Sequence, residues 1–431
     1  MAATTLTAHD HALDVVADTQ ADEAYADIAY GQIVVITARW VLIAAGIVLA
    51  LWSPGNATEL RIQIAVLLSL AVANFYLHAQ LLTRKPVVDL VAYGTSAADI
   101  VIISTLIANQ GGFASSLYVF YFPAVLAFSV SFSTWMTFCF ATSAIGLYLI
   151  ISLNSLGLGM ADQGVAQDIA TRLAMLAAVA FCGNAYWRIE RTRRHSARAA
   201  QRALERQLAV GTTATVSLET MRTPEHEAAE DLFFGQIVTI WARWFLVATA
   251  VVLILWSSGT VEEISARVPI AIVLMAVNFF LHGRYLMSQP ASRPLVLLSC
   301  LVDVALITAA VLMLRSGLPS QYFVFYYPVL AAVAFVFPPR VAFFLMAIAL
   351  VAYAAACLVT GWSDIAASVL EQKLLATRLI TVGAVGVLAT YYWRIQRDRR
   401  REALGVETNP LGSARAVRQG LEGAALTGPA V

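Results

Sequence analysis

The feature that most constrains this chain is a series of apolar runs that appears twice in the same order. Crossing the hydrocarbon core of a bilayer takes about 20 mostly apolar residues. Runs of about that length fall at 33–54, 63–82, 88–109, 116–132, 134–153 and 170–187, then at 237–256, 267–286, 294–314, 321–337, 340–360 and 374–393. Composition agrees: 60% of residues are hydrophobic and 13% charged, against roughly 45–50% and 25% in soluble domains. The expected fold is all-α, a polytopic membrane protein of 12 transmembrane helices.

Short motifs tie the two sets together. "GQIVVITARW" at 31–40 returns as "GQIVTIWARW" at 235–244, and "NFYLH" at 74–78 as "NFFLH" at 278–282. "YVFYFPAVLAF" at 118–128 answers "FVFYYPVLAAV" at 323–333, and "ATRLAM" at 170–175 answers "ATRLIT" at 376–381. "YWRIERTRR" at 186–194 answers "YWRIQRDRR" at 392–400. Six crossings return the chain to its starting side, so the copies read as two parallel six-helix repeats. The chain divides into an acidic N-terminal segment at 1–30, a first repeat with a basic exit helix at 31–206, a linker at 207–232, a second repeat at 233–402 and a disordered tail at 403–431. The leading segment, with Asp10, Asp14, Asp18, Asp22, Glu23 and Asp27, has no basic region before an apolar core. It does not read as a cleavable signal.

Orientation follows from the basic residues of short loops. Arg188, Arg191, Arg193 and Arg194 follow the sixth run, and Arg394, Arg397, Arg399 and Arg400 follow the twelfth. The loop at 154–169 has no Lys or Arg and carries Asp162 and Asp168. Both termini are therefore expected in the cytoplasm, in a multi-pass protein of the cell inner membrane. Arginine beside a membrane is explained by this topology and by anionic headgroups, so no nucleic-acid partner is expected.

An ionisable residue inside a span is costly and marks a candidate site. Arg39 and Arg243 lie on the first helix of each copy, Asp99 and Asp303 on the third. Arg39 is roughly 9 Å along its span at 1.5 Å per residue. The first expectation is an arginine that snorkels to the headgroups and an aspartate hydrogen-bonded nearby. A buried Arg–Asp pair and a ligand or proton site are the alternatives. His78 and His282 read as interfacial residues rather than haem or quinone ligands, and Asn74 and Asn278, four residues earlier on the same face, as hydrogen bonds between helices.

The fourth helix of each copy opens on dense aromatics: Tyr118, Phe120, Tyr121 and Phe122 before Pro123, and Phe323, Phe325, Tyr326 and Tyr327 before Pro328. An aromatic belt at the membrane boundary is one reading. The other is a proline-kinked pocket facing the outer leaflet that takes a lipid, quinone or carotenoid. Cys139, Cys182, Cys300 and Cys357 all sit in apolar runs without a CxxC or Cys/His pattern. They read as packing residues, and no metal site is expected.

Arg-Trp on the first helix, a central Asp on the third, the loop "NQGGFASS", the aromatic opening of the fourth and the exit "YWRIERTRR" together resemble the six-helix membrane input module of bacterial sensor histidine kinases. The resemblance covers about 29–206 and again about 233–402, with "RSGLPSQ" replacing the Gly-Gly loop in the second copy. It implies sensing ancestry. No phosphoacceptor histidine segment, ATP-binding box or cyclase domain occurs in these residues, so no enzyme activity is expected. The favoured expectation is a sensor-like or adaptor protein that binds a membrane ligand or membrane partner and relays to a separate cytoplasmic signalling protein. A structural subunit of a larger membrane complex is the alternative, and a secondary transporter of 6+6 helices the second alternative.

Overall fold

In the computed structural model of the chain, the residues described are 32–52, 57–82, 89–157, 162–209, 224–256, 261–287, 289, 291–315 and 318–403. Among them there is no strand. Twelve α-helices follow one another: α1 (Gln32–Trp52), α2 (Ala57–Leu82), α3 (Asp89–Asn109), α4 (Tyr121–Ser131), α5 (Thr134–Leu156), α6 (Gln163–Ala209), α7 (Pro224–Leu255), α8 (Val261–Leu286), α9 (Arg293–Arg315), α10 (Tyr326–Val336), α11 (Pro339–Ala367) and α12 (Val369–Ala403). Ten of these are long and apolar enough to cross a membrane. The N-terminal segment and the C-terminal tail read from the sequence lie almost wholly outside the described residues. At the borders of the linker read from the sequence, α6 runs on to Ala209 and α7 starts at Pro224.

The two exceptions are α4 and α10, of 11 residues each. The sequence reading took 116–132 and 321–337 as single helices. Each instead begins as a 3₁₀ turn, at Ser116–Phe120 and Tyr322–Phe325, and becomes an α-helix at Tyr121 and Tyr326. The prolines explain the switch point. Pro123 and Pro328 are third in their α-helices, where a backbone N–H has no intrahelical partner to lose. They start a helix here and do not kink one. Ser115 and Ser320 open the 3₁₀ turns by accepting a hydrogen bond from the amides of Leu117 and Tyr322, 3.2 Å each.

All residues of α4 and α10 are buried. They form the centre of the bundle with α6 and α12, each packing on the long exit helix of its own half and on that of the other. α7 joins this centre through α6 and α10. The remaining helices stand outside and present Val48, Val72, Phe75, Ile150, Phe344 and Val359 to the surroundings, as lipid-facing helices do. The turn before α4 depends on glycine. Gly111 and Gly112 have φ of 90° and 61°, and a Cβ on Gly112 would stand 2.4 Å from that of Ser155.

Candidate functional site

The first polar centre lies at half height. Asp99 is midway along α3 and Arg39 faces it from α1; both side chains are buried, and Nε donates to Oδ2 at 2.7 Å. The second half has the same pair in fuller form. Arg243 Nε donates to Asp303 Oδ1 at 3.0 Å and Oδ2 at 2.8 Å, and Nη2 lies 2.7 Å from Oδ2 and from Ser299 Oγ. The snorkelling expectation is therefore corrected. In a low-dielectric interior two opposite charges gain more from each other than at the surface, and α1–α3 and α7–α9 bring them within reach. Thr95, which matches Ser299, donates to Ala92 instead. Asp99 Oδ1 is left buried without a hydrogen bond.

Beside Asp99 lies a cleft of about 740 Å³ between α1, α2 and α3, reaching the start of α12. Its inner walls are Leu42, Leu49, Leu67, Leu70 and Ile103; Asn109, Gln110, Ser116, Glu371 and Lys373 line its polar part. The matching space beside Asp303 measures about 50 Å³.

Most rings of the two aromatic openings are buried inside the bundle. They meet each other at the centre of the bundle. Phe122 stacks on Tyr327 with ring centres 3.9 Å apart and planes 7° from parallel. Tyr118 contacts Phe323 and donates to Gln321 Oε1 at 3.0 Å. Tyr121 and Tyr326 share 2.6 Å hydrogen bonds with Ser104 and Thr308. Phe120 and Phe325 reach outward to the cleft and its counterpart.

Two arginines in this region carry structure that the sequence reading passed over. Arg172 donates to Gln321 Oε1, the Phe113 carbonyl and the Tyr148 hydroxyl at 3.1, 3.0 and 2.6 Å, and lies 4.0 Å above the Tyr118 ring. Arg378 donates to the carbonyls of Leu318 and Ser320 and to the Tyr353 hydroxyl, and lies 4.0 Å above Phe323. Their motifs "ATRLAM" and "ATRLIT" were visible as repeats. What they bind is spread over α5, α11 and the segments that lead into α4 and α10, and has no local signal.

A buried ion cluster closes the basic end. Glu190 of α6 is fully buried and pairs with Arg400 of α12 and, at 3.5 Å, with Arg193. Asp231 of α7 lies 3.0 Å from Arg193 and 2.8 Å from Arg400, and Arg193 reaches Glu230 at 3.1 Å. Of these only the arginines stood out in the sequence, as topology signals.

The remaining candidates act between neighbouring helices. Trp40 Nε1 and Trp244 Nε1 donate to Nδ1 of His78 and His282 at 3.4 and 3.2 Å. Asn74 donates to the Ile36 carbonyl at 3.1 Å. Asn278, equally buried, makes no such bond. Cys182, Cys300 and Cys357 are buried and all four thiols are free. Among the described residues no group of three His, Cys, Asp or Glu could hold a metal ion.

No protein-family model matches this chain, and no curated protein is similar to it in sequence.

Proposed function

We propose that the chain is a non-catalytic multi-pass protein of the cell inner membrane that receives a membrane ligand or membrane partner and relays its state to a separate cytoplasmic protein. Twelve crossings in two parallel six-helix repeats are part of this reading. The 3₁₀ and α segments of α4 together span about 26 Å at 2.0 and 1.5 Å per residue, close to the ~30 Å of a hydrocarbon core. The clustered arginines support a cytoplasmic position for both basic ends, and with them both termini.

The observation that carries the relay is the ion cluster that locks the exit helices together. α6, with 47 residues, is about 70 Å long and extends well beyond a bilayer. Turning it against α12 separates Glu190 from Arg400, and a buried carboxylate without its partner is costly. The two exits therefore move as one unit or break a defined set of pairs. A lock of this kind gives a relay a defined set of pairs to keep or break.

Purification from native membranes in mild detergent, with identification of what accompanies the protein, tests the reading. The expected companion is a soluble signalling protein that is lost when Glu190→Gln and Arg400→Gln are combined. A stoichiometric set of integral membrane subunits would replace the relay with a scaffold role. Solute uptake by the purified protein in vesicles would replace it with transport.

A further inference from the structure

We infer that the cleft of the first half binds one elongated, electrically neutral, membrane-soluble molecule whose buried end carries a hydroxyl that donates to Asp99. The inference rests on the relay reading only for its meaning as an input signal.

The cleft's volume of about 740 Å³ lies within the roughly 300–1,000 Å³ of ligand pockets. Its inner walls are aliphatic, which suits a hydrocarbon chain. On its wall stands Asp99, whose Oδ1 has a spare valence; Arg39 Nη2 is also buried without a hydrogen bond but does not line the cleft. Asp99 is 4% exposed and Oδ1 has no hydrogen-bond partner. A buried acceptor left unmade is costly, so a donor supplied by a ligand is favoured there. The charge of that donor is constrained by Arg39, whose Nε is 2.7 Å from the other carboxylate oxygen. The pair is already neutral. An ammonium would gain the carboxylate but meet the guanidinium, and an anion would face the reverse. A hydroxyl donates without adding charge. The polar residues at the other side of the cleft, Asn109, Gln110, Ser116 and Lys373 among them, suit a second polar group on the same molecule.

The second half supplies the comparison. Where the first copy has Gly46, Ala50 and Leu117, the second has Ala250, Ile254 and Tyr322, and all three larger residues line the remnant of about 50 Å³. Asp303 there has both oxygens bonded to Arg243. α8 also packs more closely on α9 than α2 does on α3. One half is filled and its carboxylate fully bonded; the other is open and one hydrogen bond short.

The test uses the full chain in native membranes with three diazirine probes of equal length: a hexadecanol, a hexadecylamine and a palmitic acid. After irradiation, labelled peptides are mapped by mass spectrometry. The expected result is labelling of 32–52 and 89–109 by the alcohol at least tenfold above 237–255 and 293–313. The amine and acid should label the cleft several-fold less. Ala50→Ile combined with Leu117→Tyr should reduce alcohol labelling about tenfold, and Leu106→Trp, an independent way to fill the cleft, should do the same. Equal labelling of the two halves, indifference to both fillings, or preference for the amine or the acid would overturn the proposal. Mass analysis of co-extracted lipids identifies the source: a glycerolipid with a free hydroxyl or a free long-chain alcohol each supports the proposal. Binding is read without any signalling output, so a labelled cleft in a protein that recruits no partner would remove the relay and leave the site.

Discussion

Replacing Asp303 by leucine is the sharpest test of the buried pairs. Arg243 is 1% exposed. The substitution removes the acceptors at 2.7, 2.8 and 3.0 Å and leaves only Ser299 Oγ and the distant Cys300 Sγ. Breaking a buried pair from one side costs about 3–5 kcal/mol. At about 1.4 kcal/mol per tenfold, the unfolding equilibrium shifts by roughly two to three and a half orders of magnitude. Adding Arg243→Met removes the stranded charge, and the double variant should return to within about 1 kcal/mol of the parent. Asp99→Leu should cost less, about 1–3 kcal/mol on the scale of a single lost charged hydrogen bond. Arg39 loses one short contact there, where Arg243 loses three. Unfolding in mixed micelles at rising fractions of dodecyl sulfate measures all three variants against the parent. The reasoning fails if the Arg243→Met/Asp303→Leu double is as unstable as Asp303→Leu alone, because the coupling between the two side chains would then be absent.

Three other outcomes follow from the packing and the topology. A Cβ on Gly183 would lie 1.9 Å from Ser129 Oγ and 2.9 Å from its Cβ. Gly183→Ala should therefore cost about 1–3 kcal/mol as overpacking, and Ser129→Gly in the same chain should restore most of it in the same micelle assay. Phe122→Ala, which empties one side of the Phe122–Tyr327 stack, should cost about 3–5 kcal/mol; a loss under 1 kcal/mol would mean that the two halves do not depend on this contact. In a cysteine-free background, Asp162→Cys should react with a membrane-impermeant maleimide on intact cells, while Arg191→Cys should react only after permeabilisation; the opposite pattern would invert the orientation.

Much of the fold was legible because its cause is local. Apolar length sets where a helix can sit in lipid, and ten of the predicted runs are long apolar helices. Repeated motifs named pairs of residues that occupy matching surroundings, as Arg39–Asp99 and Arg243–Asp303 do. The failures were of distance and direction. A snorkelling arginine and a paired one have the same sequence. The choice depends on whether α3 presents a carboxylate within reach of α1, and no spacing along the chain records that. The aromatic runs were read as facing lipid because aromatics favour interfaces. They face each other across the two halves because α4 and α10 are enclosed by α6 and α12. Glu190 passed unnoticed as one acid among many arginines, and its importance comes from Arg400 on another helix.

The order, spacing and doubling of the apolar runs were set by residue chemistry alone, since the cost of an unpaired backbone in hydrocarbon leaves helices as the available answer for such runs. The contrast between the halves arose at the level of packing. Ala50 and Ile254 are equally acceptable in a membrane helix, and Leu117 and Tyr322 equally so at a helix start. Only when α1, α2 and α3 are set beside one another does the difference of a few carbon atoms become an open cleft in one copy and a filled one in the other. The reason is that volume is a property of facing surfaces, which a linear pattern of polar and apolar residues does not contain.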